Sequence, residues 1–131
     1  YGEEAAQIIL ALTNLRSPKP REQMTPTELD AYFHALFSRV LNRYPQVREK
    51  AARAKTCDRL QNTRTEDLES ERGIEKAARK LVESYKYVVP IAEIAGEKYR
   101  AALLSQLDKR RGILTPAQAA NLSPVKYDLA A

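Results

Sequence analysis

The residues whose types and spacing could do chemistry in this chain are cations. Arg43, Arg48, Lys50, Arg53, Lys55, Arg59 and Arg64 fall in one window that holds only two acids, Glu49 and Asp58. That window carries +5, the net charge of the whole chain, while the remaining 15 basic and 15 acidic residues cancel. A charge excess confined to one stretch asks for a local explanation. On a helical wheel Arg48, Lys55 and Arg59 fall on one side, with Lys50 and Arg53 nearly opposite. Between them runs a thin strip of Val47, Ala51 and Ala54, continued by Asp58. Such a helix is expected not to bury a broad face: it bridges solvent, is held by side-chain pairs, or is covered by a partner.

Pairs are few, namely Glu49 with Arg53 and Asp58 with Lys55. A phosphate polymer lying along the helix would relieve the repulsion among the remaining cations and release counterions. Ala51, Ala52 and Ala54 would let a backbone approach, and Gln46, Thr56, Gln61, Asn62 and Thr63 could donate to phosphate oxygens. The seven cations are therefore the candidate nucleic-acid-binding residues, and Tyr44 beside them is a candidate for stacking. Bulk solvent, an acidic protein, a membrane surface, or the acidic run Glu66, Asp67, Glu69 and Glu71 could face the same helix instead.

Other chemistry is hard to assemble. One cysteine, Cys57, excludes an internal disulfide and a cysteine-based zinc site. One histidine, His34, has no second His and reads as a surface residue. No glycine-rich phosphate loop or G-x-S-x-G turn occurs, and no nucleophile has an adjacent base. The expectation is a non-enzymatic protein without metal or cofactor. No run of 18 apolar residues could form a spanning helix. The opening residues, with Glu3 and Glu4 in place of a basic start, do not read as a signal peptide.

The elements that must position the cations are helices. Four glycines against 19 alanines favour helix over sheet. Apolar residues recur with helical spacing over 5–15, 29–41, 74–88 and 91–107. Thr25-Pro-Thr-Glu28 and Thr115-Pro-Ala-Gln118 are capping boxes with proline at the first helical position. Pro45 closes or kinks the second helix, Thr65 caps the fourth, Pro90 kinks or ends that helix, and Gly112 terminates the fifth. The fold class is all-α: a four- to five-helix bundle, with a basic helix after Pro45 and a short C-terminal helix plus tail. One domain spans 1–131: an N-terminal helix over 1–16 free to pack on a neighbouring subunit, a linker over 17–25, the bundle over 26–121 and a tail over 122–131.

The basic segment Arg43 to Lys55 and its four flanking stripes resemble, in architecture, the DNA-wrapping helical-bundle coat proteins of filamentous archaeal viruses. The resemblance implies many copies packed helically around double-stranded DNA, held by sequence-independent phosphate contacts and by self-association or a related subunit. It also implies a virion location, with the cytoplasm as the default otherwise. Two rival readings stand beside it: a helical adaptor or assembly protein of a phage or conjugative element, working through protein–protein contacts, and an ordinary chromosomal DNA- or RNA-binding protein.

Overall fold

The computed structural model describes residues 2–13 and 16–131. The described chain is all-helical: α1 (Glu3–Leu12), α2 (Pro26–Asn42), α3 (Arg48–Arg64), α4 (Glu71–Glu83), α5 (Val89–Ala95), α6 (Glu97–Asp108) and α7 (Pro116–Ala119). No strand occurs among the described residues. Both capping boxes form. Thr25 Oγ1 accepts from the Glu28 N–H at 3.2 Å, Thr115 Oγ1 accepts from the Gln118 N–H at 3.1 Å, and each reciprocal bond is made. Pro45 ends the α2 register in one 3₁₀ turn, Pro45–Val47, that leads straight into α3.

Two helix boundaries differ from those the residues suggest. The cap of α4 is Ser70, whose Oγ accepts from the Gly73 N–H at 3.0 Å, and Asp67 holds that hydroxyl in turn at 2.6 Å. Thr65 instead closes α3, its hydroxyl turned back to the Asn62 and Gln61 carbonyls. A cap needs a free hydroxyl ahead of the helix, and the preceding carbonyls claim that of Thr65. Pro90 does not stop the chain either. Residues Ser84–Val88 widen into a π-helical turn, and α5 follows without a break. A π turn is one way a helix accommodates a residue that cannot donate four back. The interruption falls later, at Gly96, whose φ of 132° lies where L side chains are strained. It splits the expected 91–107 helix into α5 and α6.

The core gathers Leu36, Phe37 and Leu41 of α2, Leu81 of α4, Tyr85, Tyr87 and Val88 of the π turn, Ile91, Ala92 and Ala95 of α5, and Leu103 and Leu107 of α6. The arrangement departs most from expectation at its centre. Helix α3 lies against α1, α2, α5 and α6, and Ala51, Ala52, Thr56, Arg59 and Thr63 are buried. The expectation that it cannot bury a broad face is thus corrected, and the reason is local. Thr56 Oγ1 donates to the Ala52 carbonyl and Thr63 Oγ1 to the Arg59 carbonyl, both at 2.8 Å. A threonine satisfied within its own helix presents mainly a methyl group to its neighbours. The strip Ala52, Thr56, Arg59, Thr63 is therefore small and internally satisfied, though by residue type it scores as polar.

Helix α1 packs within its own chain. Ala11 joins a small cluster with Val40 and Ala51, flanked by Leu12 and Tyr44. Leu15, assigned to the same stripe, lies outside the described residues. The linker over 17–25 is pinned by Lys19, 2.7 Å from Glu28, by buried Met24, and by Arg21 over the Tyr32 and Phe33 rings.

Candidate nucleic-acid interface

Five of the seven cations in the basic window are committed to contacts inside the chain. Arg48 Nε donates to the Leu41 carbonyl at 2.8 Å, satisfying a last-turn acceptor of α2. Arg53 Nε does the same for the Ala95 carbonyl, the last residue of α5, at 3.2 Å. Its guanidinium also pairs with Glu49 and lies over the Tyr99 ring. Helix C-termini carry unpaired carbonyls and partial negative charge, so a cation there answers both needs. Lys50 pairs with Glu4 of α1. Arg59, 8% exposed, pairs with Glu83 at 2.8 Å and donates to Ser84 Oγ at 3.3 Å. Lys55 reaches over the Phe37 ring, 5.2 Å from its centroid, and lies 3.9 Å from Asp58.

Arg43 and Arg64 remain exposed. Arg43 lies over the ring of Tyr44, its own neighbour, so the tyrosine marked for stacking already carries a cation. No carboxylate pairs with either arginine among the described residues.

The partition of charge follows the same logic. Thirteen of the 22 Lys and Arg are exposed, against fourteen exposed carboxylates. Nine cations are half-buried or buried, with only Glu28, Glu66 and Glu83 for company among the acids. Six of the nine pair with carboxylates, namely Lys19 with Glu28, Lys55 with Asp58, Arg59 with Glu83, Lys86 with Asp30, Arg100 with Glu93 and Glu97, and Arg110 with Glu66, while Arg48 uses the Leu41 carbonyl and Lys55 also the Phe37 ring. Within the basic window, Arg43, Lys50, Arg53 and Arg64 stay exposed, beside the exposed acids Glu49 and Asp58.

Burial sets the titration of these groups. It pushes the Lys55 ammonium below the usual lysine range, with Arg59 adding to the effect and Asp58 and Glu83 opposing it. Burial raises Glu66, against the pull of Arg110, 3.4 Å away. The depression of Lys55 gives a signed expectation. Between its folded pKa and its ordinary value of about 10.4 the folded state holds fewer protons than the unfolded chain, so this group adds stability as pH rises there. Lys55→Met keeps the stem over Phe37 and removes the buried charge. The variant should match or exceed the parent by about 1 kcal/mol at pH 7 in urea unfolding. The gap should narrow as pH climbs toward 10.

The other singled-out residues are accounted for. His34 Nε2 sits 3.4 Å from the Lys126 carbonyl oxygen and its ring 5.2 Å from that of Tyr127. Cys57 is exposed and unbonded. Among the described residues no three His, Cys, Asp or Glu side chains gather as a metal site, and no helix is long and apolar enough to cross a membrane. The space beside Arg59, lined also by Asn62, Thr63, Glu66, Lys80 and Ser84, is about 10 Å³, at most one water. Arg59 Nε lies next to it without a protein partner.

Two further surface features stand out. On α1, Ala6, Ile9 and Leu10 are all exposed, at i, i+3 and i+4. Ile9 is 65% and Leu10 43% accessible. The signal was present, since α1 is apolar on both faces and only one can pack inward. On α4, Arg72, Lys76 and Arg79 form an exposed outward stripe with no ion pair among the described residues. It was hidden because Glu71 and Glu75 neutralise that segment in any count of charge. Protein-family models, curated proteins and solved structures yield no match to the chain.

Proposed function

We propose that this chain is a non-enzymatic helical assembly protein that works through protein–protein contacts, self-association through α1 foremost. The observation that carries the reading is the outward face Ala6, Ile9, Leu10 of α1. Large apolar side chains at helical docking spacing, left in water by a helix whose other face is already packed, are the anchors that helix-to-helix recognition uses. Sedimentation or light scattering across a concentration series is expected to show association that Ile9→Glu reduces at least tenfold. A strictly monomeric chain at high concentration would sink this reading.

A second reading, the DNA-binding coat protein, draws support from the α4 stripe together with Arg43 and Arg64. It relocates the phosphate contacts away from α3. Titration of random duplex DNA across a salt series separates the two. Assembly by protein contacts predicts weak binding at physiological salt with a shallow slope. A phosphate-contacting coat predicts tight, steeply salt-dependent binding that falls evenly for all sequences on Arg72→Ala, Lys76→Ala or Arg79→Ala. Filaments that form only when DNA is added would favour the coat protein.

A further inference from the structure

Residues 122–131 have no regular secondary structure, yet they are held along α2 and the π turn by a dense set of contacts. The seat begins with Pro90. A proline has no N–H for the carbonyl four residues back, here that of Lys86, and the Val125 N–H donates to it at 2.9 Å. Tyr127 then donates its hydroxyl to the Tyr87 carbonyl at 2.8 Å. Asn42 clamps this segment twice. Its Nδ2 donates to the Asp128 carbonyl at 2.7 Å, and its Oδ1 accepts from the Ala130 N–H at 2.8 Å. Arg48 donates to the Ala130 carbonyl. Leu122, Val125 and Tyr127 are the half-buried anchors on the core.

A bidentate amide reading two backbone groups of an extended strand, with apolar anchors spaced beside it, is the chemistry of a peptide-docking groove. A second copy carries the same ten residues, so its segment can make every one of these bonds. Five residues lie between Ala119 and Val125, and the six steps from one to the other span, when extended, roughly 20 Å. We infer that this groove is a docking site for the tail of a second copy, so that copies link by tail exchange. Reciprocal exchange closes a two-fold dimer, and one-way exchange runs head-to-tail into rings or open filaments. Within one chain the tether gives the local tail an effective concentration on the order of millimolar, so exchange is expected only in concentrated or assembled protein. The inference deepens the assembly reading and uses a surface separate from the α1 face.

The test uses the 131-residue chain carrying Cys57→Ser. One variant adds Ser38→Cys beside the groove, since Ser38 Oγ accepts from Asn42 Nδ2 at 3.1 Å. The other adds Asp128→Cys on the tail. Mixed at high concentration and treated with a short bis-maleimide, they are expected to give a covalent heterodimer. Asn42→Ala in the groove-bearing partner should lower its yield about tenfold. The chain carrying both cysteines controls for reach, because it must cross-link internally. Internal cross-linking with no heterodimer from the mixture would show that the tail stays in its own groove and would overturn the proposal. Failure of both would show that the seat itself is absent, which overturns it equally. Repeating the mixture with Ile9→Glu in both partners separates the two surfaces. A heterodimer that persists there stands independently of α1 association, and one that vanishes assigns the link to α1 and refutes exchange.

Discussion

Arg59→Ala should cost about 3–5 kcal/mol of folding stability, read from urea unfolding by far-UV circular dichroism. The guanidinium is nine-tenths buried between α3 and the end of α4, where it pairs with Glu83, whose own side chain is only 15% exposed. Removing one member of a buried pair leaves the other charge uncompensated, and that residual penalty makes the loss large. Truncation also opens a void at a strip where Thr56 and Thr63 are tightly enclosed. The double change Arg59→Met with Glu83→Leu separates these causes. It removes both charges while keeping volume, and should recover most of the loss, because a well-packed apolar pair is often as stable as a buried ion pair. A single-variant cost below about 1 kcal/mol would mean that Arg59 is not held by the fold and is free for an external anion.

This expectation marks the boundary of what the residues alone disclose. Helix starts were legible because capping is local chemistry: a hydroxyl and a carboxamide or carboxylate three residues apart suffice, and Thr25 with Glu28 and Thr115 with Gln118 supply them. The apolar stripes of α2 and α6 were legible by period. The placement of α3 was not, for two reasons rooted in its side chains. Threonine is counted as polar, yet Thr56 and Thr63 bury their methyl groups after turning their hydroxyls to their own helix. Arginine is counted as charge, yet the partners of Arg48 and Arg53 are carbonyls of Leu41 and Ala95, contributed by neighbouring helices. Main-chain acceptors at helix ends leave no trace in a count of acids and bases. Three of the expected cations, Arg48, Lys55 and Arg59, are thereby drawn into the packing, while Arg43, Lys50, Arg53 and Arg64 stay exposed, and the tail groove came into view only with the tertiary arrangement. Asn42 illustrates the latter, since nothing near it in sequence announces Asp128 or Ala130.

If α3 owes its central position to small side chains rather than to its charge, enlarging one of them should be as damaging as losing an ion pair. Ala52 has no accessible surface and lies in the core with Phe37, Ile91, Ala92 and Leu103. Its carbonyl accepts the Thr56 hydroxyl, so the helix backbone there is fixed by a bond that a shift would stretch. The facing helix α5 is equally close-set, with Ala92 fully buried and Ala95 nearly so. Ala52→Leu adds three carbons where no void exists, and either α5 must retreat or the leucine must leave its rotamer well. Overpacking of this kind costs about 1–3 kcal/mol and occasionally more, and the upper end is expected because retreat of α5 would also pull the Ala95 carbonyl from Arg53. The compensating change Ile91→Ala gives up volume on α5 and is costly alone, at about 2–5 kcal/mol. Combined with Ala52→Leu it should fall well short of the sum of the two single losses, since contacting positions do not act independently. Strict additivity in chemical unfolding would show that Ala52 and Ile91 do not share space, and that charge rather than size holds α3 in the middle of the bundle.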